Sequence, residues 1–168
     1  MKDNLLIKPS DRIFIAGHRG MAGSAISRAL GASGYKNQLT ATRHELDLTN
    51  SAAVESWFIH NRPDVVVLAA AKVGGILANN NFRTEFILQN LKINMNIFES
   101  CIGNENIKII NLGSSCIYPL NASNPISEDS FMDGKLEPTN SPYAMAKLSG
   151  IELGRSLKEQ FGHKVINL

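Results

Sequence analysis

Disulfide chemistry, membrane spanning and metal capture are all poorly provided for in this sequence of 168 residues. Two cysteines, Cys101 and Cys116, are too few for a disulfide framework. Four histidines, His18, His44, His60 and His163, are scattered outside any metal-binding spacing and read as surface or capping residues. No apolar run approaches the roughly 18 residues that a bilayer-crossing helix needs, and Met1 to Asp11 contains no signal-peptide core. These absences point to a cytoplasmic protein without a membrane partner. Charge of one sign is also missing: 17 Lys and Arg against 15 Asp and Glu leave +2. With no basic cluster or aromatic-basic stripe, nucleic acid is excluded as an expected partner. What remains, 43% hydrophobic and 19% charged, is ordinary for one globular domain with a buried core.

The apolar segments that are present are short and set between turn signals. Ile13-Phe-Ile-Ala16 reads as a buried strand running into Gly17-His18-Arg19-Gly20-Met21-Ala22-Gly23, after which Ile26, Ala29 and Leu30 fall on one helical face. A glycine turn between strand and helix lets the backbone approach a pyrophosphate, whose charge meets free N–H groups at the helix start. The spacing is Gly-x-x-Gly-x-x-Gly, and its context predicts dinucleotide binding. A second strand over Gln38 to Ala41 leads to Thr42-Arg43, where an acid would suit NAD and an arginine meets the 2′-phosphate of NADP. Arg43, with Arg19 as a second contact, therefore predicts NADP(H).

Asn50 or Ser51 caps a helix from Ala52 to Asn61, on which Trp57 is a core residue. Val65 to Ala71 is an unbroken apolar run, as in a central parallel strand covered on both faces. Gly74-Gly75 breaks it, Asn79 to Asn81 read as a polar loop, and a long helix follows from about Phe82 to Ile102. Its apolar residues Phe86, Ile87, Leu91, Ile97 and Phe98 exceed one stripe, which predicts a second buried face, a dimer contact being one explanation. Lys108 to Leu112 forms the next strand and ends in Gly113-Ser114-Ser115-Cys116, the place beyond a strand's carboxyl end where ligands sit in open α/β sheets. Pro119 to Asn140 is a long polar loop. Ser141 then caps a helix carrying Tyr143 and Lys147, four residues apart and so on one face, and Gly162 ends it. An ammonium beside a phenol favours the ionised phenol, so the pair reads as an acid or base and its tuner. Taken alone, such a pair is also what an ordinary amphipathic helix carries.

Four segments resemble, in order, those of the extended short-chain dehydrogenase/reductases: Gly17 to Gly23, Ala69 to Gly75 with Asn79-Asn80, Leu112 to Pro119, and Leu136 to Asn140 with Pro142 to Lys147. Within that family they are similar to the branch acting on GDP-4-keto-6-deoxy-D-mannose, which epimerises C3 and C5 and reduces C4 with NADPH. The resemblance implies that Tyr143 protonates the C4 oxygen, Lys147 holds the nicotinamide ribose and lowers the tyrosine pKa, Ser114 bonds the keto oxygen, and Cys116 carries protons at C3 and C5. It implies cofactor contacts from Gly17 to Gly23, Arg43, Leu112 to Ser115 and Lys147. It also implies a homodimer.

The expected fold is α/β, a Rossmann-like doubly wound parallel sheet, with residues 1–168 forming an NADP-binding domain truncated before the last strands and the substrate domain. Members of the branch continue for about another domain, so this chain reads as an N-terminal part, inactive by itself, whose last strand has an exposed edge. His163 lies too early to be the histidine that partners the cysteine in that branch. Two alternatives stand beside this reading. One is another nucleotide-sugar epimerase or reductase of the same fold, although the Asp-Glu pair that dehydratases carry is replaced here by Ser115-Cys116. The other is a non-catalytic nucleotide-binding remnant.

Overall fold

The computed structural model describes residues 6–168, so the first five residues of the N-terminal stretch assessed for a targeting core lie outside it. Five parallel strands, β1 (Ile13–Ala16), β2 (Gln38–Leu39), β3 (Val65–Leu68), β4 (Lys108–Asn111) and β5 (Lys164–Asn167), form one sheet in the order β2-β1-β3-β4-β5. Every residue of β1 and β3 is buried, as their unbroken apolar sequences require of central strands. Strand alternation sends Phe14, Ala16, Val66, Leu68 and Ile109 to one face. There they meet Val54 and Phe58 of α2 (Ser51–Asn61), Ile93 and Ile97 of α4 (Arg83–Cys101) and Leu157 of α5 (Ser141–Phe161). Ile13, Ile15, Val65 and Val67 face the other way, onto Ile26 and Leu30 of α1 (Met21–Ala32). Trp57 is half-buried and packs on Phe14, with ring centroids 4.1 Å apart.

From β1 the chain steps outward to β2 and then returns across β1 to β3. The strand order thus reverses between β1 and β3, and a crevice opens at their carboxyl ends. Backbone geometry there is tight. Gly17 has φ +87, and a Cβ on it would lie 2.7 Å from the Ala70 Cα; a Cβ on Gly23 would collide with the Gly17 carbonyl oxygen. Helix α1 therefore begins pressed against the turn that precedes it.

Three buried asparagines of α4 join that helix to the parts that build the crevice. Asn90 accepts from the Lys72 amide at 2.8 Å and donates to the Lys72 carbonyl at 3.0 Å, Asn94 donates to Ala146 O in α5 at 2.8 Å, and Asn96 donates to Leu48 O at 2.8 Å. Where Asn94 meets α5, the facing residue is Gly150, at which a Cβ would sit 2.7 Å from the Asn94 amide nitrogen. Because α4 packs against both α2 and α5, more than one stripe of it is covered within the chain. This accounts for the second face read from its sequence.

Several boundaries differ from the sequence reading. β2 is only two residues long, because the chain turns at Thr42, whose amide donates to the Glu45 carboxylate at 2.7 Å. Asn79 to Asn81 are not loop but the end of a short helix, α3 (Ile76–Asn81), and Asn79 is buried, with its side-chain amide donating to the carbonyls of Gly74 and Gly75. The cap of α5 is Asn140 rather than Ser141, which is the first helical residue and accepts from Arg83 at 3.4 Å. His163 is not at the surface: it is 1% exposed, with Nδ1 3.3 Å from Ile107 O. The expected cap at Asn50 is present, accepting from the Ala53 amide, and Gly162 ends α5 with φ +74.

Two stability predictions follow from this geometry. Gly23→Ala forces α1 away from the Gly17 turn and lowers unfolding free energy by about 1–3 kcal/mol or more in chemical denaturation. The second concerns Asp11, whose carboxylate accepts from Lys108 Nζ at 2.7 Å and ties the approach to β1 to the start of β4. Burial alone would raise the Asp11 carboxyl, but hydrogen bonds from Lys108 and the Lys8 amide, with both lysine charges, hold it below its ordinary 3.8. A depressed acid stabilises the fold above pH 3.8, and the stabilisation is lost as pH falls through the lower folded-state value. Asp11→Asn should cost about 1–2 kcal/mol at neutral pH and flatten the acid limb of the stability curve.

Candidate active site

Two adjoining cavities lie at the carboxyl ends of the strands. The larger, of about 690 Å³, is lined by the β1–α1 turn from Gly17 to Ala22, Thr42-Arg43 after β2, Ala69 to Val73 after β3, Leu112-Gly113 after β4, and Tyr143 and Lys147 of α5. The smaller, of about 230 Å³, is lined by Val73, Gly74, Asn79, Ser114, Cys116, Asn140 and Tyr143. Val73 and Tyr143 face both. The phenol therefore stands where contents of one cavity meet contents of the other.

The glycine turn and the two arginines fall in the larger cavity together, although they come from different loops. Arg19 and Arg43 are exposed on its rim and make no ion pair among the described residues. Gly23 lies buried behind the lining, where its lack of a side chain keeps α1 close. A long cavity with a glycine-floored turn at the start of a helix and arginines on its rim fits a dinucleotide carrying an additional phosphate.

At the junction, β4 ends and Ser114 starts a single 3-10 turn, Ser115–Ile117. This turn brings Cys116 back over Ser114, with Cys116 Sγ donating to Ser114 Oγ at 3.1 Å. Cys116 is half-buried and lines the smaller cavity, whereas Cys101 is fully buried in the core, where burial pushes its thiol up to about 12. Ser115 is exposed and lines neither cavity, so the cofactor contact expected of it has no counterpart in either lining.

Lys147 is buried, and its Nζ donates to the Leu112 carbonyl at 2.7 Å while lying 5.9 Å from the centre of the Tyr143 ring. This alters the role read for the pair. Burial pushes the Tyr143 phenol above its ordinary 10 and the neighbouring Cys116 adds to this, whereas a contact with the Ser114 hydroxyl opposes it. Burial likewise lowers the Lys147 ammonium. The lysine anchors α5 to the end of β4, and on balance burial holds the phenol above its ordinary value.

The smaller cavity includes Asn140, on which the sequence reading placed no role, and Asn79, which it quoted only as part of a motif. Neither had a distinguishing signal, since a buried asparagine looks like a loop asparagine in one sequence. The approach to Asn140 is braced by Glu137, whose carboxylate accepts from the amides of Thr139 and Asn140 at 3.0 and 3.1 Å and from the Thr139 hydroxyl. These bonds, led by that hydroxyl, hold the Glu137 carboxyl below its ordinary range.

Comparison with known proteins places this arrangement. The chain is 51% identical over 151 residues to the GDP-L-fucose synthase of Escherichia coli (strain K12), covering 90% of this chain and 47% of that protein. Among solved structures, a GDP-D-glycero-L-gluco-heptose synthase from Campylobacter jejuni, determined in the presence of NADPH, superposes with a TM-score of 0.92 at 35% identity, over 97% of this chain and 48% of that one. A GDP-L-fucose synthetase from Naegleria fowleri bound to NADP gives 0.83 at 27% identity, over 96% and 49%. The chain thus spans about half the length of the curated relatives it matches. Residues 13–168 match the NAD dependent epimerase/dehydratase family, and with a parallel sheet, a glycine turn at its switch point and a serine–tyrosine–lysine set beside it, the chain belongs to that family.

Proposed function

We propose that this chain is the cofactor-binding and catalytic part of an NADPH-dependent GDP-L-fucose synthase, which epimerises C3 and C5 of GDP-4-keto-6-deoxy-D-mannose and reduces C4. One observation carries the reading: Ser114, Cys116 and Tyr143 line a single cavity that shares Tyr143 with the dinucleotide-sized one. The similarity to GDP-L-fucose synthases supports the same chemistry.

The larger cavity would hold NADP(H) through the Gly17–Ala22 turn, with Arg19 and Arg43 at the 2′-phosphate and Lys147 near the nicotinamide ribose. When bound, that cofactor supplies the hydride for C4. The chain supplies the rest. Ser114 Oγ–H donates to the keto oxygen, and the Tyr143 phenol gives that oxygen its proton. Polarising the ketone also acidifies C3–H and C5–H, so the same donors assist epimerisation. The family resemblance gives Cys116, which lines the same cavity, the role of carrying protons at C3 and C5. Epimerisation also needs a carrier on the opposite ring face, a role for a residue outside this lining. Exposed Leu88 and Met95 on α4 and Met145 on α5 support a homodimer.

In the full-length protein, Tyr143→Phe should lower NADPH oxidation with the 4-keto sugar by about 10²–10⁴-fold, and Cys116→Ser should lower deuterium uptake at C3 and C5 from D₂O by a similar factor. Undiminished turnover by the Tyr143 variant would overturn the assignment. Because Cys101 is sealed and neutral while Cys116 lines a cavity, one equivalent of a thiol reagent should label native protein at Cys116, and the second only after unfolding.

A further inference from the structure

Two side-chain oxygens in the smaller cavity's wall lack any hydrogen-bond partner although they are buried: Oδ1 of Asn79 and Oδ1 of Asn140. The orientation of the Asn79 amide is set by chemistry. Its Nδ2 donates to Gly74 O at 2.8 Å and Gly75 O at 3.2 Å, so exchanging N and O would press an oxygen against two carbonyl oxygens. Asn79 is 7% exposed, and a buried acceptor left unpaired is destabilising. Asn140 is held differently, by its backbone: its amide donates to Glu137 and its carbonyl accepts from Ala144 at 3.0 Å. Its side chain makes none of these bonds.

We infer that Asn79 and Asn140 are specificity-determining residues whose amide oxygens share the single proton of the keto sugar's C3 hydroxyl in a three-centre hydrogen bond. The inference rests on the function proposed above. Amide oxygens repel phosphates and carbonyls and match a hydroxyl donor, so this wall addresses the sugar ring and not the diphosphate. With Ser114 and Tyr143 at the C4 oxygen, the hydroxyls in reach are those beside C4. C5 carries the ring oxygen and the methyl group, which leaves C3–OH as the one donor on a carbon adjacent to the ketone.

The test compares kcat/KM for GDP-4-keto-6-deoxy-D-mannose with that for its 3-deoxy analogue, by NADPH oxidation in the full-length protein. Wild type should prefer the hydroxylated sugar by about tenfold or more. Asn79→Ala and, separately, Asn140→Ala should each lower that ratio at least threefold, a change that general loosening of the site would not produce because both sugars share every other group. If Asn79→Ala fails to fold, Asn140→Ala carries the test, since the backbone bonds of residue 140 survive the substitution. A ratio unchanged in Asn140→Ala, as expected if ordered water satisfies these oxygens, overturns the inference while leaving the proposed function standing. No preference in wild type does the same. No turnover of either sugar by wild type overturns both.

Discussion

Asn90 grips Lys72 by both its amide and its carbonyl, and through it α4 holds the segment that leaves β3. That segment, Ala69 to Gly74, contributes to the walls of both cavities. Asn94 does the equivalent for α5, against a glycine that lets the two helices close to side-chain contact. A buried amide offers two donors and an acceptor in a fixed plane, and leaving any of them unpaired is costly in a medium without water. Apolar packing alone allows neighbouring helices to slide, whereas these bonds have one register. Tyr143 and Lys147 are therefore positioned from outside their own helix, by residues that touch no reacting group.

The tyrosine and lysine show how burial can reverse an argument made from charge. Four residues apart on a helix, an ammonium should pull a phenol toward ionisation. Here both are largely withdrawn from water, which disfavours each charged form, and the lysine's nearest partner is the Leu112 carbonyl. A protonated phenol is the form able to give a proton, and because burial makes it a weaker acid, the transfer depends on the negative charge that develops on the keto oxygen.

Much of the fold was legible because its signals were unambiguous. Ile13–Ala16 and Val65–Leu68 are apolar without interruption, a pattern satisfied only by strands covered on both sides, and Asn50 sits where an oxygen must cap the next helix. The glycine turn was readable because Gly17 and Gly23 stand where no side chain fits. Polar residues inside the molecule were not. Asn79 looked like loop and His163 like surface, since a buried side chain has the same letter as one that is solvated. The position of Lys147 Nζ was hidden for a related reason: spacing along a helix says which residues are neighbours, not which backbone carbonyl a third element brings closer.

The all-parallel strand order also governs how the chain can acquire its structure. Ile13 pairs with Val65, and Val65 with Lys108, so each rung joins residues separated by a crossover, and among the described residues no hairpin exists to start the sheet. Loop closure must be completed before a pairing contributes, which places this topology among slow folders. Until β3 slots beside β1, the most apolar segments of the chain are uncovered together. The centre of the sheet, which makes the native state stable, is thus also the part most exposed to association while the protein is still being made.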